Sequence, residues 1–205
     1  MIIAVDGPAA SGKGTIARAL AAHYHLPHLD TGLLYRAVGS GVARNGADPD
    51  NEADAAAACA FPDTMLDDPE LRSEAAGTLA SRVSRHPLVR AALLERQRAF
   101  ASQPGGAVLD GRDIGTVIAP EADAKLFVTA SADIRARRRH LQGQSRPYDI
   151  ILADILARDT RDSGRSTAPL RQAKDAALLD TSNLTIDAAV RKAIALVEEQ
   201  LKRNR

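Results

Sequence analysis

The chain begins MIIAVDGPAASGKGTIARAL, and this stretch limits the fold more than any other. Ile2 to Val5 form an unbroken apolar run that ends at Asp6. The glycine-rich turn GPAASGKGT then leads directly into Ile16 and Leu20 at helical spacing. A short apolar run without polar alternation reads as a parallel strand covered on both faces. Parallel strands need crossover connections, so this strand–turn–helix start commits the chain to right-handed β-α-β units.

The remaining patterns continue the alternation. HLPHLD is a second, short strand ending at Asp30, and TGLLYRAVGSGVARNG is a helix closed by Gly46. Residues 47–71 are alanine-rich, acidic and broken by three prolines, which reads as a peripheral excursion rather than core. Helical spacing resumes through Ser84, pauses at His86-Pro87 and continues as LVRAALLERQRAF, with Pro87 at an early helix position. GAVLDG and AKLFVTA read as two more buried strands. Ser131 is the expected N-cap of a very basic helix. Pro147 precedes a helix whose apolar face carries Ile151, Ile155 and Leu156. ALLDTS and TIDAAVRKAIALVEEQLKR supply a last strand and a closing helix. The expected fold class is α/β, a three-layer parallel sheet with helices on both faces, and 205 residues suffice for one such domain.

In open parallel sheets ligands sit beyond the carboxyl ends of the strands. Polar residues cluster at those positions: Asp6, Asp30-Thr31, Asp110 to Asp113 and Asp180-Thr181 each follow an expected strand. The first turn is the most specific of them. Gly7, Gly12 and Gly14 allow backbone angles and close approaches that other residues resist. The main chain through Pro8, Ala9, Ala10 and Ser11 can then fold into an anion-binding nest, and the helix starting near Lys13 adds its positive end. GPAASGK matches G-x-x-x-x-G-K, but Gly14 stands where Ser or Thr normally follows; Thr15 offers a hydroxyl one residue later as a candidate magnesium contact. A triphosphate is the expected ligand.

A second cluster is built from arginine. Arg36 lies in the helix after the second strand, Arg112 and Asp113 follow the third, and ARDTRDSGRS carries Arg158, Arg161, Asp162 and Arg165. The i, i+4 spacing puts Arg158 and Asp162 on one helix face. Planar guanidinium groups suit phosphate held in fixed geometry, so the set points to a second anionic ligand. A one-nucleotide switch protein has no use for that set. A nucleic-acid module would use RARRRH, but a net charge of +1 and 3% aromatic residues argue against one. No apolar run approaches the roughly 20 residues of a membrane span. No basic stretch precedes the first apolar run as a signal peptide requires, and Cys59 has no second cysteine to pair with. The expected location is cytoplasmic.

GPAASGKGT, LDTGLLYRAV, LVRAALLERQRAF, LDGRDIGTVIAPEADAKLFVTAS, RDTRDSGRSTAPL and DAALLDTS together resemble the bacterial cytidylate kinases, a nucleoside-monophosphate kinase family of P-loop fold. The resemblance runs almost end to end. It implies transfer of the ATP γ-phosphoryl group to CMP or dCMP, with Mg2+, by a monomer. It also implies one kinase domain over 1–205, with a monophosphate-binding region at 31–101 and an arginine-rich mobile lid at 135–168, Gly164 being a candidate hinge. Within the first of these, Ala47 to Glu70 is shorter than the family's insertion, which carries a small antiparallel sheet.

The resemblance also implies roles. Residues Gly7 to Thr15 would bind ATP, joined by Arg135 and Arg139, with Arg138 beside them. Arg36, Arg112 and Arg165 would clamp the CMP phosphate, and Lys13, Arg112 and Arg165 would be the catalytic residues. Ser81, Arg90 and Asp113 would read the cytosine, Thr31 would lie beside the nucleotide, and Arg158 and Asp162 would meet the ribose. A related kinase acting on AMP, UMP or shikimate would share the cradle and differ in the acceptor pocket. None of the five histidines is needed as a base.

Overall fold

The computed structural model describes residues 1–141 and 146–204. These form two compact units: residues 1–29 with 101–204, and residues 30–100. The first unit is organised by a five-stranded sheet. Its strands are β1 (Ile2–Asp6), β2 (His28–Asp30), β3 (Ala107–Gly111), β4 (Ala124–Thr129) and β5 (Ala177–Asp180), in the spatial order β2-β3-β1-β4-β5. Pairing is parallel, with Val5 opposite Asp110 and Leu126, and Val128 opposite Leu179. β1 is central, and the chain departs from it first to one side and later to the other. The carboxyl end of β1 is therefore the switch point of the sheet, where the crevice opens.

Burial explains the strand pattern. Ile3, Ala4 and Val5 are fully buried, as are Val108, Leu109, Leu126 and Val128, because neighbouring strands and covering helices remove both faces from water. α1 (Lys13–Tyr24) packs Ile16, Ala17 and Leu20 against the sheet together with Ala193 and Val197 of α8 (Ile186–Arg203). Thr185 caps α8 by accepting from the Ala188 N–H at 3.2 Å. Gln200 clips α8 to β4: its Oε1 accepts from the Lys125 N–H at 2.9 Å and its Nε2 donates to the Lys125 carbonyl at 3.0 Å. A satellite cluster joins α6 (Ala132–Leu141) to α7 (Tyr148–Ser163) through Ala136, Ile151 and Ile155. Ser131 caps α6, accepting from the Ile134 N–H at 3.3 Å. Leu156, expected on the apolar face of α7, is half exposed; Leu152 packs there instead, a turn from Ile155 on the side facing α6. Residues 142–145, inside the expected lid, lie outside the described residues.

The second unit is helical. It contains α2 (Thr31–Arg44), α3 (Glu52–Ala57), α4 (Glu74–Val83) and most of α5 (Pro87–Ala101). α2 and α4 pack so closely that a Cβ on Gly39 would stand 2.7 Å from the Leu79 Cβ. Segment 47–70 holds α3, one short 3-10 turn (Asp63–Asp67) and the start of another (Pro69–Arg72) and, among the described residues, no strand. Asn51 caps α3, while Asp48 and Asp50 pair with Arg82 and Asp68 pairs with Arg44, so its acidic residues mainly tie the segment to α4 and α2.

Gln200→Leu leaves the Lys125 N–H and carbonyl buried without partners. Chemical denaturation should show a loss of about 2–3 kcal/mol; an unchanged midpoint would contradict the assigned role of this clip.

Candidate phosphate-binding site

The turn after β1 is held tightly. A Cβ on Gly7 would run into the Val128 carbonyl oxygen, so only glycine lets the chain leave β1 against β4. Ala10 (φ 60°) and Gly12 (φ 90°) both take left-handed conformations, which fold the main chain into a concave loop. Gly12 is the N-cap of α1 and has no side chain to cap it, and the Thr15 and Ile16 N–H groups return to the Gly12 carbonyl, both at 3.1 Å; a helix start of this kind favours an anion. Loop and helix end line a cavity of about 490 Å3 with Lys13, Gly14 and Thr15. Arg18 of α1, Arg138 and Arg139 of α6, and Thr181, Leu184, Thr185 and Ile186 complete it. Its lining joins cationic side chains to aliphatic ones, a combination that suits a phosphate chain attached to a flat ring.

Around the cavity the structure fixes several polar groups. Arg138 donates to the Thr181 hydroxyl at 3.0 Å and carbonyl at 2.6 Å. Arg135 is buried and turns its donors on protein: Nε to the Ala130 carbonyl at 2.8 Å, Nη1 to the Ala9 carbonyl at 3.2 Å, and both Nη groups to Asp159 at 3.0 and 2.5 Å. Asp110 at the end of β3 places Oδ2 3.2 Å from where a Cβ on Gly14 would stand, and 3.4 Å from His28 Nε2.

Beyond β3 the chain makes a single π-type turn, Ile114–Ile118, and Asp6 holds it. Its two oxygens accept from the Ile114 and Gly115 N–H groups, each at 2.8 Å. Asp113 begins this turn and is itself buried. Burial outweighs the two amides and Lys13, and with nearby Asp113 pushes the Asp6 carboxyl up to about 7. Asp162 of α7 is in the opposite regime. Burial raises its pKa, but Arg112, Arg165 and Arg158 more than offset this and hold it below the usual carboxylate range. Arg112 Nε donates to Asp162 at 2.8 Å, and Arg165 Nη2 lies 3.8 Å from the same carboxylate. Arg112, Arg158, Asp162 and Arg165 are thus brought together. Gly164 caps α7 with an ordinary φ of −85°, and a Cβ there would crowd the Thr160 carbonyl at 2.9 Å.

The second unit carries the other nominated residues. Thr31 is buried at the start of α2, where Asp30 accepts from the Gly32 N–H at 3.0 Å. Arg36 donates to the Leu71 and Ser73 carbonyls, both at 2.7 Å. Arg90 is buried, with its guanidinium 5.7 Å from the centre of the Tyr35 ring. Among the described residues the buried Ser81 hydroxyl has no hydrogen-bond partner, which marks it as a group awaiting one.

The cytidylate kinase family model matches residues 3–199. The chain belongs to that family. A cytidylate kinase of Rhodopseudomonas palustris strain BisA53 is 60% identical, over 97% of this chain and 96% of its own length. One of Xanthobacter autotrophicus is 58% identical, over 97% of each. Solved structures show the same fold at much lower identity. An uncharacterized protein from Eubacterium ventriosum gives a TM-score of 0.58 at 14% identity, covering 97% of this chain and 98% of its own. An unliganded sugar kinase from Janibacter gives 0.50 at 15%, covering 98% and 96%.

Reading the sequence missed three participants. Asp6 and Thr181 stood out as strand-end polar residues, but nothing local showed that one would hold a turn more than 100 residues away and the other a loop carbonyl. Tyr35, beside Arg36, carried no signal beyond its neighbour.

The Asp6 titration has a defined sign. Between about pH 4 and 7 the folded chain keeps a proton there that the unfolded chain has released, so this group's contribution to stability falls as pH rises and levels off above about 7. Wild type should therefore show a declining component of unfolding free energy across that window that Asp6→Asn lacks. Identical pH slopes would contradict it.

Proposed function

We propose that this chain transfers the γ-phosphoryl group of ATP to CMP and dCMP, yielding ADP with CDP or dCDP. The observation that carries the reading is the cavity around Lys13, a main-chain anion nest open on a helix N-terminus, in a chain of the cytidylate kinase family. We assign the reaction to the cytoplasm, where both nucleotides are at hand, and to a monomer.

On this reading residues Gly7 to Thr15 take the triphosphate, with Lys13 on its outer groups. Arg138 and Arg139 neutralise charge from α6, and Leu184 and Ile186 offer apolar surface to the base. Mg2+ fits the donors present: the Thr15 hydroxyl lines the cavity and the Asp110 carboxylate lies against Gly14, both hard oxygens. The ion would be held mainly through the ATP phosphates and water, with these two oxygens as candidate contacts, and would spread the charge of the transferring phosphoryl group.

For the acceptor we assign Arg36, Arg112 and Arg165 to the CMP phosphate. Asp162, holding Arg112 through Nε, aims the Nη groups of that residue. Ser81, Arg90 and Asp113 read the cytosine, where a carboxylate accepts from the exocyclic amine and the buried Ser81 hydroxyl gains its missing partner. Thr31 lines the nucleotide, and Arg158 and Asp162 face the ribose. A phosphate monoester has a second pKa of about 6 and is largely dianionic near pH 7, so it attacks without a general base. Catalysis is then alignment plus charge stabilisation by Lys13, Arg112 and Arg165.

Following ADP formation across CMP, dCMP, UMP, AMP and shikimate should show turnover with the two cytidine nucleotides far above the rest. AMP or shikimate as the best acceptor would contradict the assignment. Arg112→Ala should raise the CMP KM and lower kcat, each by about tenfold or more, through loss of a charged phosphate partner. Unchanged CMP dependence would remove Arg112 from that role.

A further inference from the structure

We infer that Arg135 and Thr181 are positioning residues that orient two peptide planes of the glycine-rich loop, and so aim main-chain amides at the phosphates without needing to touch them. This rests on the triphosphate reading of the cavity.

In a trans peptide the carbonyl and the following N–H point in opposite directions, so a donor that captures the carbonyl also sets the direction of the amide. Arg135 captures the Ala9 carbonyl at 3.2 Å. Asp159 and the Ala130 carbonyl lock its guanidinium, and the residue is 4% exposed, so it is a rigid clamp. The Ala10 N–H therefore points away from Arg135. Ala10 also holds φ 60°, a conformation that alanine keeps only where its surroundings impose it.

The second plane is held in the same manner. The Thr181 hydroxyl lies 3.0 Å from the Ser11 carbonyl and 3.1 Å from that of Thr129, while Arg138 donates to its oxygen at 3.0 Å. Arg138 occupies the acceptor side of the hydroxyl, which leaves its single proton for a carbonyl. The Gly12 N–H is then turned away from Thr181. Arg135 does not line the cavity, whereas Ala10 and Gly12 do, so its influence on phosphate passes through the backbone. Asp159 sits on α7 next to Arg158 and one turn before Asp162. The clamp thus ties loop geometry to the helix that carries both residues.

The test is calorimetric titration of the full chain with inorganic tripolyphosphate, with thermal melting and the CMP KM as companions. Thr181→Val should weaken tripolyphosphate about tenfold, the worth of one charge-assisted hydrogen bond, while Thr181→Ser stays within about twofold. Asp159→Asn, which does not line the cavity, should weaken it by about threefold or more through a loosened Arg135, with the CMP KM held within about twofold. Equal losses in Thr181→Val and Thr181→Ser, or unchanged binding in Asp159→Asn, would overturn the inference. Should Thr181→Val fail to fold, the Asp159→Asn titration decides alone. A wild-type chain that binds no tripolyphosphate would overturn the phosphate reading and this inference with it. Wild-type binding with unaltered variants would overturn the inference and leave that reading standing.

Discussion

The contact between Gly7 and the Val128 carbonyl is the constraint on which the donor side depends. A central strand buried on both faces cannot turn sharply unless its first turn residue yields space to the next strand, and here a side chain would occupy the place of that carbonyl. Once the chain leaves β1 at that point, the left-handed residues Ala10 and Gly12 curl the loop, and α1 begins at a glycine that has no side chain to cap it. On the proposed reading, a flexible glycine-rich segment thereby becomes a preorganised anion receptor. Its charges are dipoles fixed by covalent geometry, so little reorganisation is needed when phosphate arrives.

Two buried aspartates show how environment divides like chemistry. Asp6 is surrounded by backbone amides with another carboxylate nearby, and desolvation dominates. Its work is to fix the turn that begins at Asp113. Asp162 is almost as buried, but three guanidinium groups keep it ionised, and it holds Arg112 in place. The same side chain therefore serves as a structural acceptor close to neutrality in one place and as a permanent counter-charge in another.

The sheet, its parallel direction and most helix starts were legible because buried strands and capped helices carry short-range signals: IIAV, GAVLDG, Ser131, Pro87. The glycine-rich turn after β1 was legible because glycine, lysine and a following helix must coincide. What escaped was long-range. The π-type turn after β3 depends on Asp6, which no local pattern links to Ile114. The burial of Arg135 depends on Asp159, which no pattern within RARRRH foretells. Leu156 was misplaced because helical spacing alone does not say where along α7 the packing against α6 is centred.

The most direct measurement is an amide NMR titration of 15N-labelled protein with a non-hydrolysable ATP analogue. The largest proton shifts, toward low field, are expected at the N–H groups of Ala10, Gly12, Lys13 and Gly14, as hydrogen bonds to phosphate form. Shifts that leave these amides unmoved while the analogue binds would contradict the proposed phosphate site.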